Sequence, residues 1–203
     1  MASTSTCNKE ICRRSTYTAA FKGHLECLKY AYENEQKWHS ETTYSAALSG
    51  HLECLTYAHE NGCKWHPKTT CTAAEYGHLE CLTYAHENGC EWHPHTILAA
   101  TSGGYLVCLK YAHENGCIWI PGAARFAAHF GRLECLKYVY ENCGDVETWK
   151  DAKLEDETGI VSEEFSKDIQ YYIDADPKIP TNLIYWNSKF HQIYRNILKR
   201  SRI

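Results

Sequence analysis

The chain has 203 residues, a formal net charge of −4 and an isoelectric point near 6.3. This length allows one or two domains with a buried core, and the acidic balance argues against a general nucleic-acid-binding protein. We expect no secretory leader and no transmembrane helix, because no apolar run approaches the roughly 18–20 residues that a membrane span needs. With no export signal, the twelve cysteines predict a reducing, cytoplasmic location.

The sequence repeats itself every 27 residues. Glycines at positions 23, 50, 77, 104 and 131 mark the repeat, and columns of leucine, cysteine and tyrosine follow the same step. We predict five units between residues 14 and 148, preceded by an N-terminal segment (1–13) and followed by a C-terminal extension (149–203). Repetition at such a period is typical of a solenoid, in which each unit packs against the next.

Each unit is predicted to form two short helices, as the central unit illustrates. Thr69 or Thr70 is expected to cap the first helix, and Gly77 is expected to end it in a left-handed conformation. The second helix, HLECLTYAHEN, places its apolar residues near one face and stops at the Asn-Gly pair 88–89. Helices this short are marginal alone in water, so neighbouring units must bury one another's apolar faces.

These residues match a known repeat. The segments GHLE at 50–53 and 77–80, the paired alanines at 46–47 and 73–74, and Asn-Gly-Cys at 61–63 resemble the ankyrin repeat. The resemblance covers about two-thirds of the chain. It implies an all-α, ankyrin-like solenoid of helix-turn-helix units whose work is binding other proteins.

The units depart from the ankyrin pattern in length. Ankyrin units have about 33 residues, whereas these have 27, and the deletion falls between Trp65 and Lys68. The resemblance therefore implies a solenoid without the projecting β-hairpin fingers of ankyrins. Compact units of this type resemble those encoded by large DNA viruses and some protists; a viral origin would place the protein in the cytosol of a host cell.

Cysteines and histidines recur at a spacing that could suit a metal. His59, Cys63 and His66 form one complete set, but the first and fourth units lack at least one of these residue types, and structural zinc needs four ligands. We therefore expect no metal and no cofactor, with a zinc-stapled scaffold as the alternative. The cysteines are interpreted as small buried apolar residues, and the tryptophan and tyrosine columns as aromatic packing in the core. Because repeated copies do not assemble one catalytic pocket, we predict that the protein is not an enzyme.

A partner-binding surface is predicted where the units differ. In ankyrins the concave face is lined by the first helices, including the two positions before each glycine. Exposed apolar side chains at such positions mark interfaces, although free drift on a solvated face produces the same variation. We predict a monomeric chain that binds a protein partner on this face. The residues are Phe21, Lys22, Leu48, Ser49, Glu75, Tyr76, Ser102, His129 and Phe130.

The repeat fades after Asn142, and two further helices are predicted at about 163–174 and 181–200. Residues 181–203 carry five basic and no acidic side chains. One interpretation is a C-terminal helical cap that covers the end of the solenoid. The alternatives are a basic helix that tethers the rod to a membrane surface or nucleic acid, or one that recruits an adaptor protein.

Overall fold

The computed structural model describes residues 15–35, 37–119, 123, 126–127 and 130–142. The chain divides into two compact units, residues 1–118 and 119–203. The described residues contain no strand, and those of the first unit form an all-α repeat solenoid, as predicted. The expected N-terminal segment, the C-terminal extension and its two helices lie outside the described residues.

In the described part of the first unit, a first helix and a second helix alternate. The first helices are α1 (Thr16–Phe21), α3 (Thr42–Leu48), α5 (Thr69–Glu75) and α7 (Thr96–Gly103). The second helices are α2 (Leu25–Glu35), α4 (Leu52–Glu60), α6 (Leu79–Glu87) and α8 (Leu106–Glu114). In the second unit the structure describes helix α9 (Leu133–Asn142).

Glycine in the left-handed conformation ends both helices of the central unit. Gly77 has φ +76°, and the N–H of the next residue, His78, donates to the carbonyl of Ala73, which closes the last turn of α5. At the end of α6, Gly89 has φ +84°, and Cys90 N–H donates to Ala85 in the same way. These bonds satisfy carbonyls that a helix end leaves without partners. The predicted stop signals are therefore confirmed.

Stacking of like helices builds the core. The first helices α1, α3, α5 and α7 contact one another in succession, and the second helices do the same. Ala73 and Ala74 are fully buried and small enough to let first helices approach closely. Leu82 on α6 is also fully buried, and burial of one leucine contributes about 1.5–3 kcal/mol. Because these faces meet their counterparts in the adjacent units, each unit depends on its neighbours for stability.

Buried threonines join adjacent units through hydrogen bonds. Thr70 Oγ1 lies 3.3 Å from Thr96 Oγ1 and accepts a 3.0 Å bond from the backbone N–H of His93. The same contact recurs one unit earlier, where Thr43 Oγ1 accepts the N–H of His66. The expected capping role of Thr69 and Thr70 is wrong. Helix α5 begins after Lys68 with no side-chain cap. The Thr69 hydroxyl instead donates to the carbonyl of His66 in its own unit, and the Thr70 hydroxyl bonds the loop of the next unit.

We expect Thr70→Val to destabilise the solenoid by about 1–3 kcal/mol, the cost of leaving a buried polar group without its partner. Valine keeps the shape of threonine but removes the acceptor for His93 N–H. Chemical denaturation measures the free energy of unfolding, and hydrogen exchange should show faster exchange at the His93 amide. Thr18→Val, at a half-buried position of α1, is the matched control. Equal stabilities for the two variants would contradict the threonine network.

The tryptophan column lies at the rim of the solenoid rather than in its interior. Trp65 is half-buried, stacks on His59 with ring centroids 4.4 Å apart, and donates its Nε1–H to the carbonyl of Asn88 at 3.0 Å. Trp92 repeats both contacts with His86 and Asn115. The indoles thus bridge neighbouring units at the loops, whereas the interior is filled by alanine, leucine and cysteine. This placement corrects the interpretation of the indoles as core packing.

Candidate functional site

The predicted partner-binding positions lie at the C-terminal ends of the first helices. Leu48 and Glu75 are the last residues of α3 and α5, and Ser49 and Tyr76 follow them. The backbone N–H of Tyr76 donates to the carbonyl of Thr72, so the main chain is held in the helix while the side chain projects from its end. The repeated first helices thus place different side chains at equivalent positions of successive units.

The exposure of these side chains varies. Phe21 is 43% exposed and Tyr76 is 47% exposed, both high values for aromatic residues in a helical frame. Lys22 and Glu75 are exposed, and Leu48, Ser49 and Ser102 are half-buried. Phe130 is exposed but belongs to the second unit, and His129 lies outside the described residues. We call the seven residues in the first unit the variable face. They are Phe21, Lys22, Leu48, Ser49, Glu75, Tyr76 and Ser102.

Two further tyrosines border the variable face, and the sequence analysis missed them. Burial raises the pKa of Tyr44, and the nearby Tyr76 and Glu75 of the next unit raise it further. Tyr17 occupies the equivalent position one unit earlier, and both rings are half-buried. Comparison of this column along the repeat would have identified them, since it reads Tyr17, Tyr44, Cys71 and Leu98. The residue type varies along this column, as it does at the predicted partner-binding positions.

The histidines and cysteines at metal-like spacing have separate structural contacts. His59 stacks on Trp65, and its Nδ1 lies 3.2 Å from the hydroxyl of Tyr84. His66 accepts the backbone N–H of Lys68 on its Nδ1 at 3.2 Å. Among the described residues, no group of three His, Cys, Asp or Glu side chains is arranged to hold a metal ion. The spacing along the chain therefore does not bring these groups together around one point.

The thiols of Cys54, Cys63 and Cys81 are buried. Cys81 is 1% exposed, and burial raises its pKa to about 12. Burial raises the pKa of Cys54 to about 12 and that of Cys63 to about 11. A reactive cysteine needs a lowered pKa, since the thiolate is the nucleophile. These thiols are therefore protonated at neutral pH and act as small core residues, as the sequence analysis proposed.

Three histidines make the stability of the first unit depend on pH. Burial lowers the pKa of His51, His66 and His93, and nearby Lys68 lowers that of the last two further. In the unfolded chain these imidazoles titrate near pH 6.5, so below that pH the unfolded chain binds more protons than the folded chain. The free energy of unfolding is therefore fully retained above about pH 6.5 and falls as the pH drops toward the lowered pKa values.

We expect the melting temperature to fall between about pH 7 and pH 5, a range above the titration of ordinary carboxylates. Circular dichroism melts at several pH values measure it. The double variant His66→Asn/His93→Asn should show a shallower decline, because asparagine keeps a hydrogen-bond acceptor near the position of Nδ1 but does not titrate. A melting temperature that stays constant or rises on acidification would contradict the assignment.

Comparison with known proteins finds no matching family model and no matching curated protein. Among the helices that the structure describes, none combines the length and apolar character of a membrane span. The resemblance of the units to ankyrin repeats therefore rests on the sequence motifs quoted above.

Proposed function

We propose that this chain is a non-catalytic, ankyrin-like protein–protein interaction scaffold that binds a partner protein through the variable face. The observation that carries the proposal is a contrast within each unit. Ala46, Ala47, Ala73 and Ala74 are buried and repeat unchanged, whereas the two side chains after each pair differ: Leu48 and Ser49 are half-buried, and Glu75 and Tyr76 are exposed. Units that share the same buried residues but differ in the side chains that follow them are suited to binding a partner. They are not suited to assembling one reaction centre.

The exposed aromatic residues are the proposed anchors for the partner. Phe21 and Tyr76 offer large rigid surfaces, and aromatic residues contribute much of the binding energy in protein interfaces. Lys22 and Glu75 stand beside them with opposite charges, which would orient a partner more than they would strengthen its binding. The half-buried Tyr17 and Tyr44 extend the aromatic surface toward the loops.

The thiols support a scaffold in a reducing compartment. None of the nine described cysteines forms a disulfide, and burial raises the pKa of those for which a shift is resolved. Protonated, buried thiols supply packing rather than nucleophilic chemistry. A cytoplasmic location is the corresponding proposal, since free thiols persist where glutathione and thioredoxin keep them reduced.

The test is affinity capture from the native cell with quantitative mass spectrometry. Glu75→Ala/Tyr76→Ala should lower recovery of a specific partner at least fivefold, because it removes one anchor and its neighbouring charge without touching the core. Tyr30→Ala is the matched control, since Tyr30 is also 43% exposed but lies on a second helix, α2. Unchanged melting temperatures establish that both variants are folded. Equal recovery by the wild type and the double variant would overturn the proposal.

A further inference from the structure

A histidine with a fixed tautomer stands at the same position of three successive loops. The Nδ1 atoms of His39, His66 and His93 each accept a backbone N–H from two residues later, at 3.2 Å in all three cases. Because Nδ1 is an acceptor, a neutral ring carries its proton on Nε2. The backbone N–H of each histidine is in turn held at 3.0 Å by a buried threonine hydroxyl. The fold thus holds all three rings in one orientation relative to their loops.

These rings present a row of hydrogen-bond donors. In the part of the chain that the structure describes, their Nε2 atoms make no further hydrogen bond. Packed helices lie about 8–10 Å apart, so equivalent donors on successive units recur at about that spacing. A polyproline II chain advances about 9.3 Å for each turn of three residues. Side chains at every third residue of such a chain would therefore meet successive histidines.

An aromatic groove runs beside the first two donors. A cavity of about 440 Å³ is lined by Trp38, His39, Lys64, Trp65, His66 and Pro67, among others. The Nε1–H groups of Trp38 and Trp65 already donate to Asn61 and Asn88, so the indoles offer the groove apolar surface. Grooves lined by aromatic rings are the usual docking sites for proline-rich polyproline II segments.

The charges of these loops favour an acidic occupant. We define the loop edge as residues 37–41, 64–68 and 91–95. It carries three lysines and two glutamates, a net charge of +1 with neutral histidines, and its four histidines add positive charge on acidification. Neutral Nε2–H groups donate to carboxylates, and imidazolium groups attract them more strongly.

We propose that the loop edge binds a polyproline II segment of another protein that carries a carboxylate at every third residue. The prolines of the segment occupy the tryptophan groove, and the carboxylates accept hydrogen bonds from His39, His66 and His93. This surface is distinct from the variable face, because the loops precede the first helices whereas Tyr76 follows α5. Either surface can therefore fail its test independently of the other.

Acidification is expected to strengthen the binding. His66 faces Lys68, Glu41 and the ring of Tyr44. His93 faces His95, Lys68 and His66, which with burial hold its pKa below the ordinary value. A carboxylate placed between these groups opposes that effect and favours the charged rings. Affinity therefore rises as the pH falls from about 7.5 to about 5.5, where glutamate, with a pKa near 4.3, is still ionised.

The test uses the full chain and a fluorescein-labelled peptide of four Glu-Pro-Pro triplets, measured by fluorescence anisotropy at low salt. We expect at least fivefold tighter binding at about pH 5.5 than at about pH 7.5. A Gln-Pro-Pro peptide should bind at least tenfold more weakly. A peptide of the same composition with its glutamates adjacent should bind at least fivefold more weakly, because its carboxylates no longer match the spacing of the loops. Equal binding of any control peptide, or no binding of the Glu-Pro-Pro peptide, overturns the proposal.

Protein variants locate the site. His66→Asn/His93→Asn keeps the turn acceptors but removes two Nε2–H donors, and it should weaken peptide binding at least tenfold and reduce its dependence on pH. Lys68→Gln should weaken binding severalfold, whereas Lys110→Gln, which removes the same charge from an exposed position on α8, should not. Lys68 is exposed, so its variant remains informative if the double variant unfolds. Wild-type affinity in Lys68→Gln and in a folded histidine variant would place the peptide elsewhere and overturn the proposal.

Discussion

Gly77→Ala is expected to destabilise the solenoid by about 2–5 kcal/mol. Two separate costs add. Alanine in the left-handed conformation that Gly77 adopts, with φ +76°, loses about 1–2 kcal/mol. Its Cβ would also overlap the ring of Tyr105 in the next unit, and relief of such overpacking costs about 1–3 kcal/mol. Denaturant unfolding monitored by circular dichroism measures the sum.

The variant Gly89→Ala separates the cost of the left-handed backbone from the cost of overlap with Tyr105. Gly89 has a similar φ of +84° at the end of α6, but a Cβ there meets nothing within 4 Å. We therefore expect a loss of only about 1–2 kcal/mol. Combining Gly77→Ala with Tyr105→Ala should recover part of the larger loss, and the double-mutant cycle gives the coupling between the two positions. Equal losses for the two glycine variants would show that contact with Tyr105 does not constrain Gly77.

Leu82→Ala is expected to cost about 2–5 kcal/mol, the range for truncating a fully buried leucine. Leu82 is 0% exposed on α6, which contacts both α4 and α8. A cavity at this point weakens the central unit and its contacts with both neighbours, because a solenoid is stabilised chiefly by contacts between adjacent units. Urea denaturation should therefore show a lower midpoint and a broader transition.

Leu79→Ala is the matched control for Leu82→Ala. Leu79 begins the same helix but is only half-buried, so its truncation leaves a smaller cavity and removes less buried surface. We expect it to cost less than half as much as Leu82→Ala. If the two variants were equally stable, the apolar stripe of α6 would not be the face that holds the units together.

Local signals in the sequence were reliable where one residue type determines one backbone conformation. Gly77 was predicted to be left-handed because glycine lacks the Cβ that makes this conformation costly, and Gly89 was predicted to stop α6; both have positive φ. Thr69 and Thr70 were misassigned because a threonine hydroxyl serves equally well as a helix cap or as a partner for another loop. Thr69 bonds the carbonyl of His66 in its own unit, and Thr70 bonds the loop of the neighbouring unit. A single unit read alone offers no such partner for Thr70.

The candidate surfaces were likewise predicted in part from the sequence and missed in part. Variation before each glycine identified Phe21 and Tyr76, and the structure leaves both exposed. Tyr44 was missed because the sequence analysis compared only the two positions before each glycine; its place beside Glu75 and Tyr76 depends on how α3 and α5 stack. The histidine row was not predicted, because the sequence analysis considered His59 and His66 only as candidate metal ligands and expected no metal. In the fold these two residues have unrelated contacts.

A strict 27-residue period, with glycine stops and short amphipathic helices, was enough to establish an all-α solenoid, because every unit makes the same local choices and none is stable alone. Tertiary structure alone decided which polar contacts join the units. The Thr70 hydroxyl, the Trp65 Nε1–H group and the Tyr84 hydroxyl each find a partner in an adjacent unit, 20 or more residues away along the chain. No local pattern specifies such a partner, since it exists only once the units have stacked.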